Sequence, residues 1–331
     1  DEALKIKSSH PFKGNIDVNR FKELIEEFGA EKIPFIRFEA STNLIGGQPY
    51  SMANMKEVTE IARQHGIMVV LDASLIGENA YFIKQREEAY KNASIKQILN
   101  EMCEMADLVY FSSRKVSSTR GGGICTDSEE LFLKMRDLVP LFEGFLTYGG
   151  MSVREIEAMA VGMYETTDET VIGQSPSFIE YAVNQLDKLG IPVITPAGAL
   201  GCHIDAMGFL SHVPQEEYPA GALAAALFMV SGCRGMERGT ISSERDENGK
   251  DILADMELLR LAFPRRVFTL SQTMFLLDRV NWLYENRELI GGLKFVDEPP
   301  VLRFFMGRLA PTSDWPEKLV AKFKEDFGES L

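Results

Sequence analysis

Apolar and polar positions change their spacing along the chain, and the changes mark its elements. Ile33 to Ala40 (IPFIRFEA) reads as a strand, broken by the turn run Gly46-Gly47-Gln48-Pro49. From Met52 to His65 the apolar residues Met55, Val58, Ile61 and Ala62 recur at helical spacing. Gly66 stops that helix, and Ile67 to Leu71 (IMVVL) is a short continuous apolar strand. Ser94 caps a second helix that runs to Met105. Leu108 to Phe111 is the next strand, and Gly121-Gly122-Gly123 leads into another at Ile124 to Thr126. Strands alternating with helices of this length indicate βαβ units around a mainly parallel sheet.

Beyond Met151 the texture changes. Helical stretches extend to Met163 and from Ser177 to Leu189, followed by shorter strands. Those strands are expected at Pro192 to Thr195, Cys202 to Asp205, Leu293 to Val296 and Val301 to Phe305. Helices are expected at Ala220 to Val230, Leu270 to Glu285 and Pro316 to Phe327. This half reads as a smaller α+β domain. A length of 331 residues suits two domains, here 1–170 for the α/β part and 171–331 for a linking helix and the smaller domain. The boundary is expected within residues 160–190.

Composition narrows the class. The chain is 45% hydrophobic and 25% charged, as in ordinary globular proteins. Its 35 basic and 49 acidic residues leave a net charge of −14, which disfavours nucleic acid or an anionic membrane as partner. The longest apolar stretch, Gly221 to Val230, has ten residues and cannot span a bilayer. No leading basic-plus-apolar segment reads as a secretory signal. Cys103, Cys125, Cys202 and Cys233 lie far apart, as expected of free thiols in a cytoplasmic protein.

Parallel sheets place ligands at the carboxyl ends of their strands. Asn43, Asp72 and Lys115 fall at three such ends, the last in the run Phe111-Ser112-Ser113-Arg114-Lys115. A lysine amine and a carboxylate at those places suit pyridoxal phosphate. The amine forms a Schiff base, and the carboxylate keeps the pyridine ring protonated as an electron sink. Ser112 and Arg114 could serve the phosphate. The same residues also fit a plain reading, with Asp72 as a turn or cap residue and Lys115 as a solvated loop side chain. Nucleotide-binding glycine motifs and the serine-hydrolase elbow are absent. His10, His65, His203 and His212 lack metal-ligand spacing, so no metal site is expected among them.

Longer motifs in fixed order carry a resemblance. They are Phe12-Lys13-Gly14-Asn15-Ile16-Asp17, Asn43-Leu44 with Gly46-Gly47-Gln48-Pro49, and Glu78-Asn79-Ala80-Tyr81-Phe82-Ile83-Lys84. Tyr148-Gly149-Gly150 and Leu261 through Pro264-Arg265-Arg266 follow. On these the chain resembles the β-eliminating lyases of aromatic amino acids, the tryptophanase and tyrosine phenol-lyase family. The resemblance implies an aspartate-aminotransferase-like fold (pyridoxal-phosphate fold type I), assembled as dimers that pair into tetramers, and a potassium ion as activator. By position it makes Lys115 the Schiff-base lysine and Asp72 the pyridinium partner, with Ser112 and Arg114 near the phosphate. Asn43 would touch the cofactor's phenolic oxygen and the substrate carboxylate. Arg260 would clamp that carboxylate with its bidentate fork. The implied reaction removes the α-proton through the freed lysine amine, protonates the aromatic leaving group at its ring carbon, and cleaves Cβ–Cγ. Pyruvate and ammonium are the other products.

Two markers address the aromatic group. Arg238, in Met236-Glu237-Arg238-Gly239, stands where the tyrosine enzymes have an arginine on the phenol oxygen. Phe304, before Phe305, stands where tryptophanases tend to have histidine. Both lean towards tyrosine, while departures elsewhere keep tryptophan open. Leu75 replaces an arginine that both branches place three residues after the pyridinium aspartate, and Val116 replaces the usual aspartate after the lysine. The family's N-terminal segment has no counterpart here, so Asp1 reads as an internal residue of a longer enzyme. That segment supplies a stacking ring, a phosphate loop and a potassium ligand; without it the chain is expected to bind the cofactor weakly or turn over poorly. Another pyridoxal-phosphate enzyme, such as a cysteine-type carbon–sulfur lyase or an aminotransferase, and a non-catalytic fragment are the alternatives.

Overall fold

The computed structural model describes residues 2–328. The chain divides into two compact units, Pro11–Pro176 and a second formed by Ser177–Leu331 together with Asp1–His10. The first residues thus group with the C-terminal unit and not with the α/β part. Thr195 N donates to Ile6 O at 2.9 Å and Ser8 N to Thr195 Oγ1 at 3.1 Å.

In the unit Pro11–Pro176 four strands form one sheet: β1 (Phe35–Glu39), β2 (Met68–Asp72), β3 (Leu108–Ser112) and β4 (Gly122–Cys125), in that spatial order. β1, β2 and β3 run parallel, and β4 returns antiparallel to β3. β1 starts two residues later than the apolar pattern suggests, since Pro34 has no N–H for the ladder. Glycine is required in β4, where a Cβ on Gly122 would lie 2.4 Å from Phe111 O.

The helix Met52–Gln64 is capped by Ser51, whose hydroxyl accepts from Asn54 N at 3.0 Å. Its Met52, Met55, Val58 and Ala62 are fully buried, each burial stabilising by about 1–3 kcal/mol. The helix Ile95–Glu104 carries a full Ser94–Gln97 capping box. Helix Ile76–Arg86 had no clear periodic signature; it buries Ile76, Gly77, Glu78, Asn79, Ala80, Phe82 and Ile83, almost its whole circumference. Because strand side chains alternate, Phe38 and Leu71 enter the core while Arg37, Glu39, Asp72 and Tyr110 share the opposite face.

The second unit holds a three-stranded antiparallel sheet, β5 (Gly201–Asp205), β6 (Met236–Arg238) and β7 (Leu258–Ala262), in the order β5-β7-β6. A separate hairpin pairs β8 (Leu293–Asp297) with β9 (Arg308–Pro311). Helix Pro219–Ser231 is apolar on every side and sits in the core with Ala220, Ala222, Ala226 and Leu227 fully buried. Among the described residues, no helix is long and apolar enough to cross a membrane. The closing helix Trp315–Phe327 packs Phe323 and Phe327 on Trp282, whose indole N–H donates to Asp326 Oδ2 at 2.8 Å.

Two expected strands are different elements. Pro192 to Thr195 makes only the single bridge Val193–Ile204, held between two prolines, Pro192 and Pro196, that cannot donate. Val301 to Phe305 is no strand either. After Pro299-Pro300 the chain turns at Leu302 and forms a helical turn, Arg303–Met306, and the strand follows at Arg308–Pro311. β6 and β7 were not legible as strands, one being three residues long and the other placing an arginine inside an apolar run.

Candidate active site

The carboxyl ends of β1, β2 and β3 bring Glu39, Asp72 and Ser112 to one edge of the sheet. Glu39 pairs in register with Asp72, and Asp72 with Tyr110. Asp72 Oδ1 accepts from Ser74 N at 3.0 Å, and Ser74 Oγ accepts from Ser112 N at 3.3 Å, so Ser74 ties the ends of β2 and β3 together. The Tyr110 phenol is pushed above its ordinary pKa, first by burial and then by the Asp72 charge. It stays protonated at neutral pH, and Arg37 Nη1 donates to its oxygen at 3.4 Å. Arg37 Nη2 also lies 3.5 Å from Glu39 Oε2. Glu39 Oε1 accepts from Asn43 N at 3.1 Å, which fixes the turn that presents Asn43.

Lys115 lies on the helical turn Ser113–Val116 directly after β3, where Arg114 and Lys115 are exposed while Ser113 and Val116 are buried. Helix Val153–Glu165 braces this turn from behind. Gly162 allows the contact, for a Cβ there would lie 2.4 Å from Ser117 O. Thr166 Oγ1 donates to Val116 O at 2.5 Å, and Ser113 Oγ lies 2.9 Å from Met159 Sδ. Val116 is therefore a packing residue, and its missing carboxylate leaves no hole. Leu75 is likewise turned into the core, 6% exposed, with its N–H on Ala40 O at 2.7 Å.

The second unit places Met236, Arg260 and His203 in one row across β6, β7 and β5. Arg260 Nη2 lies 2.6 Å from Met236 Sδ. Burial, and then the nearby Arg238 cation, lower the Arg260 pKa to about 10, so the guanidinium stays charged at neutral pH. Two cations this close suit an anionic ligand group. His203 is buried beside them, and its Nδ1 donates to Gly201 O at 3.0 Å. Burial lowers its pKa to about 3, which keeps the imidazole neutral. Phe304 is half-buried with its ring centroid 5.9 Å from the Arg238 guanidinium carbon, and Phe305, set edge-on to it, is exposed. Among the described residues no group of three or more His, Cys, Asp or Glu converges as a metal site.

Spacing did not reveal a second feature, a buried pair of carboxyl groups around the turn after Arg238. Glu237 is 7% exposed and Glu257 fully buried. Glu237 has a pKa raised from 4.5 to about 7, first by burial and then by the Glu257 charge. Between those pH values the folded chain keeps a proton that the unfolded chain has released. This stabilisation is full below the unfolded value and is lost as pH rises through the folded one. We expect Glu237→Gln to flatten the decline when urea unfolding is compared at pH 5 and pH 8. Equal pH slopes for the two proteins would show that Glu237 does not carry it.

The architecture is that of pyridoxal-phosphate enzymes of fold type I. N-acetylornithine aminotransferase from Stenotrophomonas maltophilia superposes with a TM-score of 0.51 at 13% identity, over 82% of this chain and 62% of that one. A transaminase from the marine bacterium Virgibacillus gives 0.52 at 18% identity, over 81% and 56%. Residues 2–278 match the model of the family described as beta-eliminating lyase, and the chain belongs to that family. Tyrosine phenol-lyase of Lacrimispora saccharolytica is 45% identical over 314 residues, 94% of this chain and 67% of that protein. The enzyme of the same name from Pasteurella multocida is 43% identical over 94% and 68%. The chain thus spans about two thirds of the length of the curated relatives it matches.

Proposed function

We propose that the chain is a pyridoxal-phosphate-dependent carbon–carbon lyase that splits L-tyrosine into phenol, pyruvate and ammonium. The observation that carries this reading is the exposed Lys115 on the turn after β3, one strand over from Asp72 at the same edge of the sheet. The name shared by the relatives, together with Arg238 and Phe304, favours tyrosine over tryptophan.

The residues present fit the cofactor. Lys115 offers an accessible amine, Asp72 a carboxylate for the pyridine nitrogen, Ser112 and Arg114 donors for a phosphate, and Asn43 an amide for the phenolic oxygen. Bound pyridoxal phosphate supplies the electron sink for the charge left on Cα when its proton departs. Lys115 Nζ takes that proton as general base. The Arg260 guanidinium holds the substrate carboxylate through two parallel hydrogen bonds. Arg238 donates to the phenol oxygen, and Phe304 and Phe305 flank the ring. The Cβ–Cγ bond then breaks with a proton delivered to the ring carbon, and water releases ammonium and pyruvate. The family resemblance adds an activating potassium ion and a homo-oligomer, and with the four free cysteines we place the protein in the cytoplasm.

The test measures pyruvate and ammonium from tyrosine, tryptophan and S-ethyl-L-cysteine with added pyridoxal phosphate. Phenol and pyruvate released in equal amounts from tyrosine are expected. Indole in excess of phenol overturns the choice of tyrosine, and turnover of S-ethylcysteine alone moves the chain to the carbon–sulfur lyases.

A further inference from the structure

Arg303 precedes the two phenylalanines, yet it points away from solvent and is 6% exposed. Its guanidinium is used on every side. Nε donates to Ser243 O at 2.8 Å and Nη2 to Thr240 O at 2.7 Å. Nη1 donates to Asp251 Oδ1 at 2.6 Å and to Glu298 Oε1 at 3.1 Å. Arg245 completes the cluster, with Nε and Nη2 on the two oxygens of Glu298 at 2.8 and 2.7 Å, and Tyr218 Oη donates to Asp251 Oδ2 at 2.7 Å. Two cations thus face two carboxylates, so the buried charges are paired and hydrogen-bonded, the condition under which burial is tolerated.

The two segments joined by this side chain both bear on ring recognition. Thr240–Ser242 is the turn that follows Arg238 at the end of β6, and Arg303–Met306 is the helical turn that carries Phe304. Leu302, at the entry to that turn, has φ of 58°, a left-handed conformation that leucine keeps only where its surroundings impose it. Gly307 closes the turn, for a Cβ there would lie 2.5 Å from the Phe295 ring. Arg303 is therefore the link between the Arg238 segment and the Phe304 segment.

We infer that Arg303 is a positioning residue for the substrate's aromatic ring, holding Phe304 in register with Arg238 by bonding the 240–243 turn to the 303–306 turn. The inference rests on the tyrosine reading for its substrate but not for its geometry. Four donors fanned over one plane need the guanidinium fork, and a lysine at this place keeps the charge without the fork.

The experiment compares Arg303→Met and Arg303→Lys with the unmutated protein on tyrosine and on S-ethyl-L-cysteine, which has no ring to place. Hydrogen exchange is followed in residues 240–243 and 302–306, with helix Ile95–Glu104 as internal control. For Arg303→Met, kcat/KM for tyrosine is expected to fall about 100-fold while that for S-ethylcysteine stays within about threefold. Exchange should quicken in both turns and stay unchanged in the control helix. If Arg303→Met fails to fold, Arg303→Lys decides, with the same pattern and about a tenfold fall for tyrosine. Equal losses on both substrates, or unchanged exchange in both turns, overturn the inference. Should the unmutated protein eliminate from S-ethylcysteine and leave tyrosine untouched, the tyrosine reading fails. Arg303 is then judged by exchange alone, where faster exchange in both turns supports the link and unchanged exchange refutes it.

Discussion

Replacing Lys115 by alanine should lower turnover about 10⁴-fold, because one change removes both the amine that holds the cofactor and the base that takes the α-proton. The fold should not notice. Lys115 is exposed on its turn, and the anchoring falls to neighbours: Ser113 and Val116 are buried, and Thr166 bonds Val116 O. Unfolding free energy is therefore expected to change by less than about 0.5 kcal/mol. That contrast, a large loss of activity with a silent stability, separates a chemical role from a structural one. Borohydride reduction in the presence of pyridoxal phosphate gives an independent reading. In the unmutated protein the label should map to the peptide that contains Lys115, and in Lys115→Ala it should vanish. A label on another lysine would discredit the assignment even if activity fell.

The parallel half of the molecule was readable because its signals are local. IMVVL is apolar throughout and sits between a glycine stop and a polar turn, and Ser51 and Ser94 cap their helices through bonds to residues three positions on. Asp72 and Lys115 could be placed at strand ends for the same reason. What escaped reading depends on pairing between distant segments. Tyr110 and Glu39 flank Asp72 only because β1, β2 and β3 register that way, and nothing in their own neighbourhoods shows it. The second unit fails the local test more often. Val301 to Phe305 has a strand's composition, yet the bonds of Arg303 to Thr240 and Ser243, some sixty residues away, hold it as a helical turn. Glu237 and Glu257 likewise carry no local sign of burial; they are buried around Gly239, where a Cβ on that glycine would lie 2.2 Å from Glu257 Oε2. The resemblance to a family located Arg238 and Arg260 without any such geometry, but it gave no sign of the residues that hold them.

Asp72→Asn separates charge from shape at the other half of the cofactor assignment. Asparagine keeps an oxygen for Ser74 N, so the turn that ties β2 to β3 should survive and stability should change little. Only the negative charge is lost. A carboxylate about 3 Å from a pyridinium proton at an effective dielectric of about 20 is worth about 5 kcal/mol at most. Activity is therefore expected to fall by up to about 4 × 10³-fold, since each 1.4 kcal/mol is a factor of ten. Tyr110 sharpens the comparison. Its phenol pKa is raised and it lies in register with Asp72, so Tyr110→Phe removes one hydrogen-bonding group and leaves the charge. Its hydrogen bond from the Arg37 cation, long at 3.4 Å, contributes about 1.5 kcal/mol, and the expected loss is about tenfold. Steady-state kcat/KM for the two variants, measured with pyridoxal phosphate at saturation, decides the matter. If Asp72→Asn costs no more than Tyr110→Phe, the carboxylate is a turn residue of β2, the plain reading that its place at the strand end also allows, and the pyridine proton must be held by another group.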